Sequence, residues 1–408
     1  MICRFDKKPI ETEFLDLFNS PPSNSFLAEE DLDKPEVFYP LKLYVSERTF
    51  LVQLEEYKKA GEIFDHDYVY FSSYSSSWLD HAKTYVEKIV DTLNLTQDSF
   101  VVEIASNDGY LLRNFVSKQI PCLGIEPTAN TAAAAEKLGI RTITKFFGKN
   151  LANELAEDKK ADLIIGNNVF AHVPDINDFV SGLKTLLSEK GTINLEFPHL
   201  LCLMREGQFD TVYHEHFWYF SLYALLPVFE AHDLFVYDVE QLKTHGGSLR
   251  LYIAHNGDTS KKTLPSVGNT LDEEIKFGLN KLSTYREFPK KVLNIKLQLL
   301  EFLVDCKKHN KTVYGYGAAA KGNTLLNYCG VKQDLLPKVI DASPHKIGKF
   351  LPGSHIPVVA ESEIKKDQPD YILILPWNLQ TEITDQLSYI KSWGGQFIIP
   401  IPELTVVK

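Results

Sequence analysis

Apolar positions fall at helical spacing over Ala82, Tyr85, Val86, Ile89, Val90 and Leu93. Ser77 and Asp80 just ahead of them have the spacing of a capping box, so a helix is expected to begin near Trp78. Short apolar runs then alternate with helical stretches: strands over 100–104 and 122–125, an alanine-rich helix over 128–138, a strand over 163–165, a helix over 178–187 and a strand over 192–195. Such alternation predicts a parallel sheet with helices on both faces. A second block repeats it. Val292, Ile295, Leu299, Phe302, Leu303 and Cys306 form a helical stripe that feeds a strand over 312–316, with further strands over 338–340 and 371–375. Residues 1–77 mix apolar clusters with proline and charge and have little periodicity. The expected fold class is therefore α/β, with a small irregular N-terminal domain (1–77) and two α/β domains (78–255 and 256–408).

Composition narrows this picture. With 44% hydrophobic and 24% charged residues over 408 positions, disorder and collagen-like repeats are excluded. The net charge of −11 argues against nucleic acid or an anionic membrane as the main partner. Apolar runs are short and Arg4, Asp6, Lys7 and Lys8 charge the N-terminus, which predicts neither a spanning helix nor a secretory signal, and a cytoplasmic chain. Cys3, Cys122, Cys202, Cys306 and Cys329 are scattered without a CxxC pair, so reduced thiols are expected.

The first α/β block carries an acid, Glu103, at a strand end, followed by the small-residue turn Ala105-Ser106-Asn107-Asp108-Gly109. Glu126 closes the next strand, where a carboxylate can accept hydrogen bonds from a ribose diol. A single glycine in the turn lacks the GxGxxG that approaches a pyrophosphate, which points to a cofactor without phosphates such as S-adenosylmethionine. Both acids could equally be capping or surface groups. Asn168 and His172 follow the strand at 163–165, at the carboxyl edge where open sheets bind ligands, although His172 also suits a structural role.

The densest chemical cluster is 208–220, with Tyr213, His214, Glu215 and His216 among aromatics. These residue types can supply a general base, a partner that orients it and a phenol for a developing oxyanion. A metal reading of the two histidines lacks an obvious third ligand, and a core role for the aromatics stays open. His245-Gly246-Gly247-Ser248-Leu249-Arg250 reads as a tight hairpin turn, with Arg250 available to an anion. In the second block Tyr316, Gly317, Ala318, Lys321 and Asn323 join a strand to a helix start suited to a diphosphate, and Asp341 ends the next strand. Lys346, Lys349 and His355 add positive charge nearby.

In order and content six segments, Tyr70-Phe71-Ser72-Ser73-Tyr74-Ser75 and those over 103–109, 168–174, 213–216, 244–250 and 315–324, resemble the deoxysugar C-methyltransferases, which act on the 3-position carbon of nucleotide-linked 4-keto sugars. The resemblance covers nearly the whole chain. It implies a zinc-containing N-terminal domain, a central Rossmann-like S-adenosylmethionine domain, a C-terminal Rossmann-like domain holding the nucleotide sugar, and a monomer. It nominates His216 as the base that removes a proton beside the ketone, with Glu215 and Tyr213 assisting and Tyr70 or Tyr74 reaching in from the first domain. Glu103, Ala105, Asn107, Asp108, Gly109, Glu126, Asn168 and His172 match the cofactor side. His172, His214, His245, Gly246, Gly247, Ser248, Arg250, Tyr316, Gly317, Ala318, Lys321, Asn323 and Asp341 match the substrate side. The chain departs from the family at the zinc: Asp6, Ser46 and Thr49 stand where three of four thiolates belong, beside Cys3. No zinc is expected there, and packing around Phe38, Leu41, Phe50 and Leu51 is expected to hold the domain instead. A non-catalytic nucleotide-sugar-binding protein and an NAD-dependent dehydrogenase built on the turn near Gly315 are the competing readings.

Overall fold

The computed structural model describes residues 1–57 and 71–407. Its central sheet has seven strands, in the spatial order Thr142–Ile143, Cys122–Ile125, Val101–Ile104, Ala161–Asn167, Leu187–Pro198, Ser248–His255 and Leu234–Leu242. The first five are parallel and the last two form an antiparallel hairpin on one edge. Strand order reverses between Val101–Ile104 and Ala161–Asn167, which opens a crevice at their carboxyl ends. A second sheet runs Val358–Val359, Val339–Ile340, Val313–Tyr316, Tyr371–Ile374, Gln396–Ile399 and Thr405–Val407, parallel except for its last strand. It reverses between Val313–Tyr316 and Tyr371–Ile374. The chain therefore adopts the α/β class that its periodicity predicts.

Local chemistry explains the element boundaries. The helix Ser76–Leu93 starts two residues before Trp78, because Ser75 is extended and its hydroxyl accepts the Trp78 N–H. Ser77, expected as the cap, lies inside the first turn. Ile176–Leu186 likewise begins behind Asp175, whose carboxylate accepts from Asn177 and Asp178 N–H. No helix among the described residues is long and apolar enough to cross a membrane.

A smaller antiparallel sheet orders Glu13–Ser20, Tyr39–Val45, Val52–Leu54 and Trp218–Tyr219. Its last strand comes from the 208–220 segment, some 160 residues downstream of the others. The packing expected here needs correction: Phe38 is 43% exposed, while Phe14, Leu15, Leu17, Leu41 and Leu43 are buried. Phe14 lies against Tyr285 and Phe288, at 5.4 and 5.2 Å between ring centroids, on the long helix Leu282–Lys308. The N-terminal unit is thus held by a core it shares with that helix, and its far edge is paired to the segment carrying His216.

Candidate functional site

Beyond Val101–Ile104 the backbone turns through positive φ at Ala105, Asn107 and Gly109. A side chain at Gly109 would run into Ile140 Cδ1, so only glycine fits this approach. Asn107 N donates to Glu126 Oε2 at 2.9 Å, and Glu126 Oε1 accepts from Thr128 N at 2.9 Å and Thr128 Oγ1 at 2.5 Å. Much of the Glu126 carboxylate is therefore spent on holding the turn. Ser72 N and Ser73 N donate to Asn107 Oδ1 and Asp108 Oδ2, at 2.9 and 3.1 Å, closing the segment before the first helix over it. Glu103 is fully buried, and desolvation together with the Glu126 and Asp108 carboxylates pushes its pKa well above the usual range, Tyr110 offsetting part of this. Asp108 Oδ1, both amide atoms of Asn167 and Asn168 Oδ1 are buried without a hydrogen-bond partner among the described residues. Orphaned acceptors and three carboxylates around one turn make a cradle for a cationic, hydrogen-bonding ligand.

His216 lies on the neighbouring side. Its Nε2 is 3.0 Å from the Tyr213 hydroxyl, and its ring meets the edge of His172 at 4.6 Å. His172 Nδ1 is held by the Glu215 carbonyl at 2.8 Å, which leaves the proton on Nδ1 and the lone pair on Nε2. His245, in a turn with Gly246 and Gly247 at positive φ, contacts the Asn168 amide at 3.1 Å and the edge of Trp78 at 5.1 Å. Trp78 in turn stacks near Tyr110, at 6.0 Å, beside the cofactor-type turn. Burial lowers all three imidazole pKa values: His172 and His245 to about 4, His216 well below its usual range. Neighbouring His172 and the Lys321 ammonium add to the effect on His216. All three rings are neutral at neutral pH.

Lys321 reaches this cluster from the second α/β unit. Its Nζ donates to Asn378 Oδ1 at 2.7 Å and sits 4.7 Å over the Trp377 ring. The Trp377 indole N–H donates to Asp210 Oδ2 at 2.7 Å. Desolvation raises the Asp210 carboxyl to about 6, with Lys321 and Trp377 pulling the other way. Burial lowers the Lys321 pKa and Asp210 opposes it. The crevices of the two sheets thereby meet over one group of side chains.

Several expected site residues are engaged elsewhere. Arg250, expected to be available to an anion, is buried between Glu196 (2.5 Å) and Glu240 (3.1 Å). Ser248 donates to the Thr244 carbonyl within the hairpin. Asp341 accepts from Ala318 N at 2.7 Å and Ser343 N at 2.8 Å, bracing the turn at Gly317, where a Cβ would strike Pro376. Asn323 is buried, with its amide on the Ser23 carbonyl at 2.6 Å. The Tyr316 hydroxyl faces Glu361 and Gln386. His214 turns to the Pro40 carbonyl and Tyr39. The Glu215 carboxylate accepts from Asn24 at 2.6 Å, so its link to the cluster is its carbonyl. Tyr74 is 73% exposed and stacked on Phe71, which places that phenol in solvent. Tyr70 lies outside the described residues. Trp78, Trp377 and Asn378 were not expected as site residues, and Asp210 was expected only as part of the 208–220 cluster, with no role of its own. The signal for two of them was available: Trp377 and Asn378 follow the strand Tyr371–Ile374 at a switch point.

The chain matches three families: a putative zinc binding domain over 3–64, a methyltransferase domain over 78–239 and a C-methyltransferase C-terminal domain over 243–402. It is 35% identical over 390 residues to the C-methyltransferase NovU of Streptomyces niveus, across 95% of this chain and 92% of that one. Among solved structures it has a partial likeness to an S-adenosylmethionine-dependent methyltransferase of Clostridium acetobutylicum ATCC 824. That pair has a TM-score of 0.35 and 11% identity, over 44% of this chain and 92% of the other. A second likeness, to magnesium protoporphyrin IX methyltransferase of Synechocystis PCC 6803 with bound SAM, has a TM-score of 0.34 and 13% identity, over 48% and 88%.

Proposed function

This chain belongs to the C-methyltransferase family, and from that premise we propose that it methylates the 3-position carbon of a nucleotide-linked 4-keto-6-deoxy sugar, using S-adenosylmethionine and His216 as base. The observation that carries the reading is the junction of a neutral, phenol-linked imidazole with an acidic, partly unsatisfied turn on one side and a half-buried ammonium on the other.

Glu103, Asn107, Asp108 and Asn168 would hold the cofactor, the Asp108 and Asn168 oxygens that lack a partner among the described residues suiting an ammonium or sulfonium. When bound, S-adenosylmethionine supplies a methyl group on a positively charged sulfur. His216, neutral because it is desolvated, can take a carbon-bound proton at Nε2. The Tyr213 hydroxyl, freed from that nitrogen, turns to the keto oxygen as negative charge develops there. His172, its tautomer set by the Glu215 carbonyl, keeps the neighbouring ring edge in place. Lys321 offers a positive charge to the enolate or to the nucleotide phosphates, and burial strengthens that attraction.

The test is mass spectrometry of a panel of nucleotide-linked 4-keto-6-deoxy sugars incubated with the protein and S-adenosylmethionine. A gain of one methyl on carbon 3 is expected. Incubation in deuterated water without cofactor should exchange the same hydrogen. Binding of sugar with neither methylation nor exchange would favour a non-catalytic nucleotide-sugar-binding protein.

A further inference from the structure

The N-terminal unit contains the same turn twice. In the first, Cys3 N donates to the Lys8 carbonyl at 2.8 Å, Lys7 N to the Cys3 carbonyl at 3.0 Å, and Lys7 has φ +56°. In the second, Ser46 N donates to the Leu51 carbonyl at 3.0 Å, Phe50 N to the Ser46 carbonyl at 2.9 Å, and Phe50 has φ +57°. A matched pair of turns in a region similar to a putative zinc binding domain would present Cys3, Asp6, Ser46 and Thr49 to one ion. These residues do not fit it. Both Asp6 oxygens are taken by Arg48, Oδ2 by Nε at 2.8 Å and Oδ1 by Nη2 at 3.2 Å. Ser46 Oγ accepts the Arg48 and Thr49 N–H groups at 3.3 and 3.2 Å, and Thr49 Oγ1 accepts from Leu51 N at 3.4 Å. One thiol, one paired carboxylate and two occupied hydroxyls are a poor tetrahedral set for zinc.

We propose that the Arg48 guanidinium replaces the metal as the cation joining the two turns, and that this clasp positions the segment carrying His216. Arg48 Nη1 also donates to the Pro9 carbonyl at 3.3 Å, so all three of its nitrogens bind the first turn while its backbone belongs to the second. Each turn then grips the residues directly after His216. From the first, the Arg4 guanidinium lies 4.9 Å over Phe217 and 5.8 Å over Trp218, while Asn177 Nδ2 donates to the Arg4 and Phe5 carbonyls. The second runs straight into Val52–Leu54, which pairs with Trp218–Tyr219, and Leu54 N donates to the Phe217 carbonyl at 2.9 Å. A two-pronged guanidinium–carboxylate contact fixes orientation as well as distance, which a single-point surface pair does not.

The positioning half of this proposal rests on the function proposed above, whereas the metal half does not. The intact protein is assayed for zinc and melted with and without a chelator; substoichiometric zinc and an unchanged midpoint are expected. Arg48→Ala should lower the midpoint by several degrees and kcat by about tenfold or more, as small misplacements of a reacting group do, while S-adenosylmethionine affinity holds. Arg48→Lys, which lacks the fork, should fall between. Should Arg48→Ala fail to fold, a variant carrying Asp6→Cys, Ser46→Cys and Thr49→Cys decides: it should bind one zinc and then tolerate Arg48→Ala only when zinc is present. Stoichiometric zinc in the native protein whose removal lowers the midpoint overturns the proposal. So does an Arg48→Ala variant with native midpoint and kcat, or a triple variant that takes up no zinc. Absence of methyl transfer in every form, the native one included, would remove the enzymatic reading alone and leave the zinc and melting results standing.

Discussion

Trp377 and Asp210, 167 positions apart, are joined by a 2.7 Å bond from the indole N–H to the buried carboxylate. The same indole lies under the Lys321 ammonium and against Gly246, where any Cβ would collide with it. One ring therefore couples the second α/β unit to the carboxylate beside the His216 segment and to the loop bearing His245.

Trp377→Phe keeps the ring but removes its donor. Asp210, whose other oxygen already has no partner among the described residues, loses a bond that lowers its pKa and becomes more protonated at neutral pH. A lost buried hydrogen bond costs about 1–3 kcal/mol, so kcat/KM for the sugar should drop roughly ten- to hundredfold. Cofactor affinity, measured by calorimetry, should stay as it is. An unchanged kcat/KM would show that the coupling is idle.

His216→Asn removes the nitrogen that takes the proton while retaining a polar side chain. Turnover and solvent deuterium exchange at carbon 3 should both fall by about a hundredfold or more, with cofactor binding intact. Near-normal exchange in this variant would assign the base to another residue.

Stability should carry the signature of two half-buried, desolvated imidazoles. His172 and His245 have folded pKa values near 4 against an ordinary 6.5, so between these limits the unfolded chain binds more protons. Their contribution is complete above about pH 6.5 and is lost as pH falls toward 4. Urea midpoints measured from pH 7 to pH 5 should decline, and His172→Gln should make the decline shallower. A variant with the wild-type slope would contradict the assignment.

Arg250→Met leaves Glu196 buried without the guanidinium that helps to hold its carboxyl down at about 2. Breaking one side of a buried ion pair costs about 3–5 kcal/mol. Thermal melting should report a large loss. Sugar KM in the remaining folded enzyme should stay near the native value; a raised KM with full stability would return Arg250 to a substrate role.

Gly109→Ala places a methyl group on a residue at φ +79° and against Ile140. A destabilisation of about 1 kcal/mol or more is expected, together with weaker S-adenosylmethionine binding by titration. Binding at native strength would detach this turn from the cofactor.

What was readable from the chain was local. The period of apolar residues predicts the alternating elements, and a lone glycine after an acid-ended strand marks the tight turn at Gly109. The run from Tyr213 to His216 places phenol and imidazole near each other whatever surrounds them. Even the departure at Asp6, Ser46 and Thr49 is a matter of residue type, since hydroxyls are weak ligands in any fold.

Tertiary structure decided which polar groups remain available. Arg250 and Asp341 have the chemistry of ligand-binding residues, but each is held by partners on other elements. Trp377 looks like an ordinary core residue until two sheet crevices bring it onto Asp210 of the 208–220 cluster. Arg48 carries no motif, and its role depends on two distant turns of equal shape closing on one side. Residue type sets what a side chain can bind; only the three-dimensional packing determines whether its bonding capacity is already used.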